Sequence, residues 1–151
     1  MYRTLVLPLP PSDNALYFNS PNMRGFGRVP TKEFKDWSNQ AQTILAINKL
    51  EKFKQVTKGE KITWKVHAIC YLKKSNLWKS DLSNRFKVLF DKLAKEIGID
   101  DRYLTFYQAS KECLENAPIR NDIKPTEINR SIMDSEHVYL RLIVENEGVR
   151  I

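Results

Sequence analysis

Two rhythms of apolar positions, one of period near 3.6 and one of period two, divide this chain into its elements. The clearest helical stripe lies in the middle. Leu82, Phe86, Leu89, Phe90, Leu93 and Ile97 fall at i, i+4, i+7, i+8, i+11 and i+15, one apolar face about four turns long. Asp81, Ser83 and Asn84 stand at or just inside its start, Lys87 follows one turn later on the polar side, and Gly98 is a stop signal. A second stripe, Phe34, Trp37, Ala41, Ile44, Leu45 and Asn48, predicts a helix from an N-cap at Thr31 to about Leu50.

Period two marks the strands. Residues 2–9 are rich in strand formers and end in a proline-bounded turn from Pro8 to Ser12. Ile62, Trp64, Val66, Ala68, Cys70 and Leu72 share one face of a strand whose other face begins with Thr63, Lys65 and His67. Tyr103–Glu112, with its aromatic residues and threonine, predicts a third strand, and His137–Val144 a fourth. The order β-α-β-α-β-β predicts a single α+β domain over the 151 residues. Two stretches break the pattern. Tyr17 to Gly27 is aromatic and irregular, with Arg24 and Arg28 interleaved and Lys32 following. Residues 113–136 are polar, carry Pro118 and Pro125 without periodicity, and predict a long inserted loop with room for a short helical turn.

Charge narrows the choice of partner. Lys plus Arg number 25 against 18 for Asp plus Glu, a formal charge of +7, which favours a polyanion without by itself deciding for nucleic acid. The irregular arm suits phosphate contacts with base stacking, or a surface loop with a few rings tucked onto the core. Lys73, Lys74 and Lys79 precede Asp81 and suit either a grip on a phosphate backbone or an ordinary solvated turn. No apolar run approaches the roughly 18 residues of a membrane span. The start, Met-Tyr-Arg-Thr-Leu-Val, lacks the apolar core of a signal peptide, so the expected location is the cytoplasm. Cys70 and Cys113 are too few and too far apart for a Cys-x-x-Cys site and are expected to be free thiols, with Cys70 buried in its strand. His67 and His137 lie in strands and make poor general bases.

Asp100 and Asp101 follow the Gly98 stop. If the chain doubles back there, these carboxylates return toward Asp81, and separated oxygen ligands around one Mg²⁺ are what phosphodiester cleavage requires. Taken singly, each has an ordinary role: Asp81 as an N-cap, Asp100 and Asp101 as turn residues, Asp91 as a solvated mid-helix acid. Their grouping is more specific. Asp81-Leu-Ser-Asn-x-x-Lys87, then Phe90-Asp91-x-Leu93, then Gly98-x-Asp-Asp, resembles the core motif of the RusA family of Holliday-junction resolvases. The opening Leu7-Pro-Leu-Pro-Pro-Ser-Asp-Asn14 resembles that family's opening Leu-Pro-x-Pro-Pro-Ser-x-Asn, and the two motifs together span roughly residues 2–112. One position departs: the family's second aspartate is Ser83.

The resemblance implies a mixed sheet with helices packed on it, a symmetric homodimer, and a Mg²⁺-dependent (or Mn²⁺-dependent) endonuclease. Such an enzyme nicks four-way DNA junctions in pairs during recombination and repair, leaving 5′-phosphate and 3′-hydroxyl ends, with no small-molecule cofactor. It assigns Asp81 and Asp101 to the metal, Asp100 beside Asp101, and Lys87 to the charge that develops on the phosphate. Ser83 and Asp91 are further oxygen donors. Asn14 belongs with the DNA-binding residues of the opening segment. Ser83 brings an oxygen without a charge, which also fits a second reading: a catalytically weak or silent module that binds branched DNA or regulates transcription. A third reading is a protein-interaction domain that uses the 113–136 loop.

Overall fold

The computed structural model describes residues 2–12, 17–19, 28–50 and 62–146. Its frame is a four-stranded mixed sheet of β1 (Tyr2–Pro8), β6 (His137–Asn146), β4 (Ile62–Leu72) and β5 (Leu104–Cys113), in the spatial order β1-β6-β4-β5. β1 and β4 flank β6 antiparallel, whereas β5 runs parallel to β4 along an edge. The register sets Leu5, Leu140, Ala68 and Ala109 in one row across all four strands. Side chains in that row share a face, so the apolar alternation read along each strand becomes one continuous surface.

Two long helices cover that surface. α1 (Lys32–Ile47) starts as expected, with Thr31 Oγ1 accepting the Phe34 N–H at 3.2 Å, and buries Trp37, Ala41, Ile44 and Leu45. It stops three residues short of the expected Leu50. Both the Asn48 backbone N–H and its side-chain amide donate to the Ile44 carbonyl, and Lys49 turns left-handed at φ 58°. α2 (Leu82–Ile97) buries Phe86, Leu89, Leu93 and Ile97 as the stripe predicts, and Val88 with them. Together these helices and the sheet bury Trp64, Leu72 and Leu140 in one apolar core.

Residues 113–136 carry helical turns within the expected loop, and they pack closely on the sheet. A 3₁₀ turn (Leu114–Asn116) and a short helix, α3 (Glu127–Met133), lay this segment on the opposite face of the sheet. Ile123 enters a second, smaller core with Val6, Tyr71 and Tyr139, backed by Ile132 and Met133. Polar contacts secure it. Thr4 Oγ1 donates to the Asp122 carbonyl at 2.8 Å, Tyr139 OH donates to Asp122 Oδ2, and Arg120 donates to Tyr71 OH at 2.6 Å with its guanidinium 3.8 Å over the Tyr139 ring. Sequence periodicity missed this segment because its apolar residues are spaced by irregular backbone. A further addition is a small antiparallel pair, β2 (Tyr17–Asn19) with β3 (Arg28–Pro30), within the arm expected to be irregular. Both cysteines are free, Cys70 buried and Cys113 half-buried. No helix among the described residues is long and apolar enough to cross a membrane.

Candidate functional site

α2 is the scaffold of the site. Asp81 is its N-cap: Oδ1 accepts the Ser83 backbone N–H at 3.0 Å and the Ser83 hydroxyl at 2.7 Å, while Oδ2 faces the Asn84 amide at 3.4 Å. The Ser83 hydroxyl, its backbone N–H and, more weakly, the Lys111 ammonium hold the Asp81 carboxyl below the usual aspartate value. Lys111 was not anticipated. It lies on the helix-facing side of β5, in step with Ala109 and Cys113, and its ammonium donates to the Ser80 carbonyl at 3.1 Å. A lysine on the core-facing beat of a strand was the legible signal.

The two sequence motifs meet at this helix start. Arg85 Nε donates to Ser80 Oγ at 2.8 Å and its Nη1 to the Pro10 carbonyl at 2.6 Å, so the Leu7–Pro11 run is docked beside Asp81. Trp37 adds a hydrogen bond of 2.9 Å to the Pro8 carbonyl. Asn14 and Arg24 lie outside the described residues, and of Arg28 only the backbone position in β3 is described. Lys32 is exposed at the first position of α1 and does not line the groove between α2 and the strand Leu104–Cys113. Lys73, Lys74 and Lys79 are exposed in the turn leading to Asp81.

Between α2 and β5 runs an open groove of about 680 Å³, lined by Ser83, Lys87, Asp91, Asp101, Arg102 and Tyr107 among others. Phe90, half-buried, forms its floor, stacked on Phe86 at 5.7 Å and edge-on to Tyr107 at 5.4 Å. Gly98, at φ 77°, ends α2 with its N–H on the Ala94 carbonyl at 2.9 Å. Asp100 then caps a 3₁₀ turn (Asp101–Tyr103), accepting the Arg102 N–H at 3.0 Å and pairing with Arg102 Nε at 3.6 Å. This turn occupies Tyr103, so β5 starts at Leu104. The Arg102 N–H first, and the Arg102 guanidinium with it, hold the Asp100 carboxyl below the usual aspartate value.

The chain does double back, but not far enough to bring Asp101 to Asp81. The 16 residues of α2 measure about 24 Å along the axis. The three steps from Gly98 to Asp101 recover at most roughly 10 Å. Oxygens on one Mg²⁺ lie within about 4 Å of each other. Within one chain, Asp101 therefore lies in the groove well away from Asp81, which caps α2 just before Ser83, with Ser83, Lys87 and Asp91 along the helix between them. Among the described residues no three His, Cys, Asp or Glu side chains gather as a metal cluster. The donors present are all hard oxygens, from Asp81, Ser83, Asp91 and Asp101, a chemistry that suits Mg²⁺ completed by water. No protein-family model matches the chain, and no curated protein matches it at a significant level.

Proposed function

We propose that this protein is a Mg²⁺-dependent, structure-selective endonuclease acting on four-way DNA junctions, working as a homodimer. The observation that carries this reading is the groove itself. It aligns carboxylates and a serine with Lys87 along one exposed channel, beside a lysine-rich turn and the docked Leu7–Pro11 segment.

Asp81 and Asp101 are the carboxylates assigned to the ion, with Asp100, Ser83 and Asp91 as supporting oxygens. When bound, Mg²⁺ supplies a water of lowered pKa and a positive charge at the phosphate. Lys87, exposed in the groove, opposes the negative charge that grows on the phosphoryl oxygens as water attacks phosphorus and the bond to the 3′ oxygen breaks, that oxygen leaving as a hydroxyl with a proton from solvent. Lys73, Lys74 and Lys79 hold backbone phosphates, and this binding weakens as salt rises. Because one chain separates Asp81 from Asp101, an ion held by both takes one from each of two copies. The dimer is then a requirement of the chemistry as well as of paired nicking.

The test is nicking of a synthetic four-way junction in Mg²⁺ against EDTA. The parent should nick in Mg²⁺ alone, and Asp81→Asn and Asp101→Asn should bind without nicking. Binding by the parent with no Mg²⁺-dependent nicking would leave the second reading, a silent branched-DNA-binding module. Ser83 favours that reading, since its hydroxyl already serves the Asp81 cap.

A further inference from the structure

Trp78 stands apart from the other tryptophans. Trp37 and Trp64 are 5% and 0% exposed, whereas Trp78 is 86% exposed. Single apolar side chains on a surface are common and by themselves carry no message. What distinguishes Trp78 is the way it is held. The Asn76 N–H donates to the Lys73 carbonyl at 2.8 Å, and the Lys79 and Ser80 N–H groups donate to the Asn76 carbonyl at 3.2 and 3.1 Å. Glu136 clamps the turn from outside, accepting the Lys73 N–H at 2.9 Å and the Asn76 amide at 3.1 Å. Leu77 packs against the main core. The indole is thus displayed on a fixed turn.

Its neighbours are cations. Lys73, Lys74 and Lys79 are exposed in the same turn, and Lys111 Nζ lies 5.8 Å from the indole centroid. Lys111 also holds the Ser80 carbonyl, which ties the ring to the residue before Asp81. Protein–protein interface cores are depleted in lysine, so this company argues against a protein partner. An accessible ring among lysines is the composition with which proteins stack single-stranded bases while gripping the backbone.

We propose that Trp78 stacks on an unpaired nucleobase of the bound strand, next to the phosphate presented to Asp81. The inference rests on the nucleic-acid part of the function proposed above and is independent of cleavage. Junction DNA suits it, because bases at the crossing point are the ones most readily unstacked.

The experiment uses a synthetic four-way junction and a single-stranded oligonucleotide in EDTA, so that binding is read without cutting. Trp37 and Trp64 are buried, so acrylamide-accessible emission reports Trp78. Either DNA should shield that emission from acrylamide. Trp78→Ala should weaken binding by about tenfold, the worth of one base–aromatic stack, with the salt slope unchanged. Trp78→Phe should recover most of the affinity, and equal melting curves establish that both variants fold. The inference is overturned if Trp78→Ala binds like the parent, if Trp78 stays open to acrylamide in the complex, or if neither DNA binds. Shielding of Trp78 by a protein that does not nick junctions in Mg²⁺ would support stacking while removing the nuclease reading. Normal nicking by Trp78→Ala with unchanged affinity would do the reverse.

Discussion

The Ser83 hydroxyl donates to Asp81 Oδ1, and it is the largest influence holding that carboxyl in its charged form. Ser83→Asp removes this donor and sets a second anion beside the first, one turn before Lys87. The substitution should lower the Mg²⁺ needed for half-maximal junction nicking several-fold, because a hard anionic oxygen joins the ligand set. An unchanged Mg²⁺ requirement, with Asp81→Asn still cutting, would show Asp81 to be a cap and nothing more. His137 gives a separate prediction. Burial holds it below the usual histidine value of 6.5, helped by Arg120 and opposed by the Ser135 carbonyl, which takes the Nδ1 proton at 2.8 Å. The folded state therefore keeps His137 neutral, and the unfolded chain binds the extra proton first. Stability should fall as pH drops below about 6.5, before Asp81 and Asp100 begin to lose theirs below the ordinary aspartate value of 3.8. Melting temperatures from pH 7 to pH 5 should flatten in His137→Phe, and an identical slope in both proteins would refute this account. Cys70, fully buried, has its thiol pushed up to about 12 by burial, so Ellman's reagent should find one reactive thiol in the native protein and two in denaturant.

At the level of elements, the turn from Lys73 to Ser80 depends on a residue far along the chain. Glu136→Ala removes the acceptor of the Lys73 N–H and the Asn76 amide, and should lower stability by about 1–2 kcal/mol in urea unfolding. It should also weaken junction binding by loosening the display of Lys79 and Trp78. Unchanged stability would mean that the local turn hydrogen bonds suffice. The contrast between legible and illegible features follows the same line. α1, α2 and the four strands of the sheet were readable because a buried face repeats at a fixed period, as in Phe86, Leu89, Leu93 and Ile97. The capping segment of residues 114–133 was unreadable because Ile123 reaches the sheet from irregular backbone. In the site, the Asp81 cap and the Gly98 stop were visible from local chemistry alone. The separation of Asp81 from Asp101 was legible as well, because a helix of this length outruns the reach of the three residues after Gly98, whichever way they turn. Lys111 and Arg85 were overlooked because charged residues within apolar patterns are easily read as solvated.

For the whole molecule, the separation of Asp81 from Asp101 makes a prediction that only two copies can test. Mix Asp81→Asn protein with Asp101→Asn protein, each expected to be inactive alone. If the ion is held across copies, half of the sites in the mixed dimer are doubly disabled and the other half are intact, so single nicks should return without paired ones. No recovery on mixing, with subunit exchange verified, would mean that each site lies within one chain. The capping segment also acts at this scale: Ile123→Ala should cost about 2 kcal/mol or more, read as a shift of the denaturation midpoint at constant slope. The pairing of β1 with β6 bears on how the protein comes into being. Tyr2 and Arg141 are hydrogen-bonded although 139 residues apart, and Leu5 lies opposite Leu140. During synthesis the first strand waits beside the ribosome for nearly the last one, and until β6 arrives neither β1 nor β4 has its antiparallel partner. Such distant pairing slows folding, and a chain halted before Val138 carries two unpaired apolar strand edges, the form most exposed to aggregation and proteolysis.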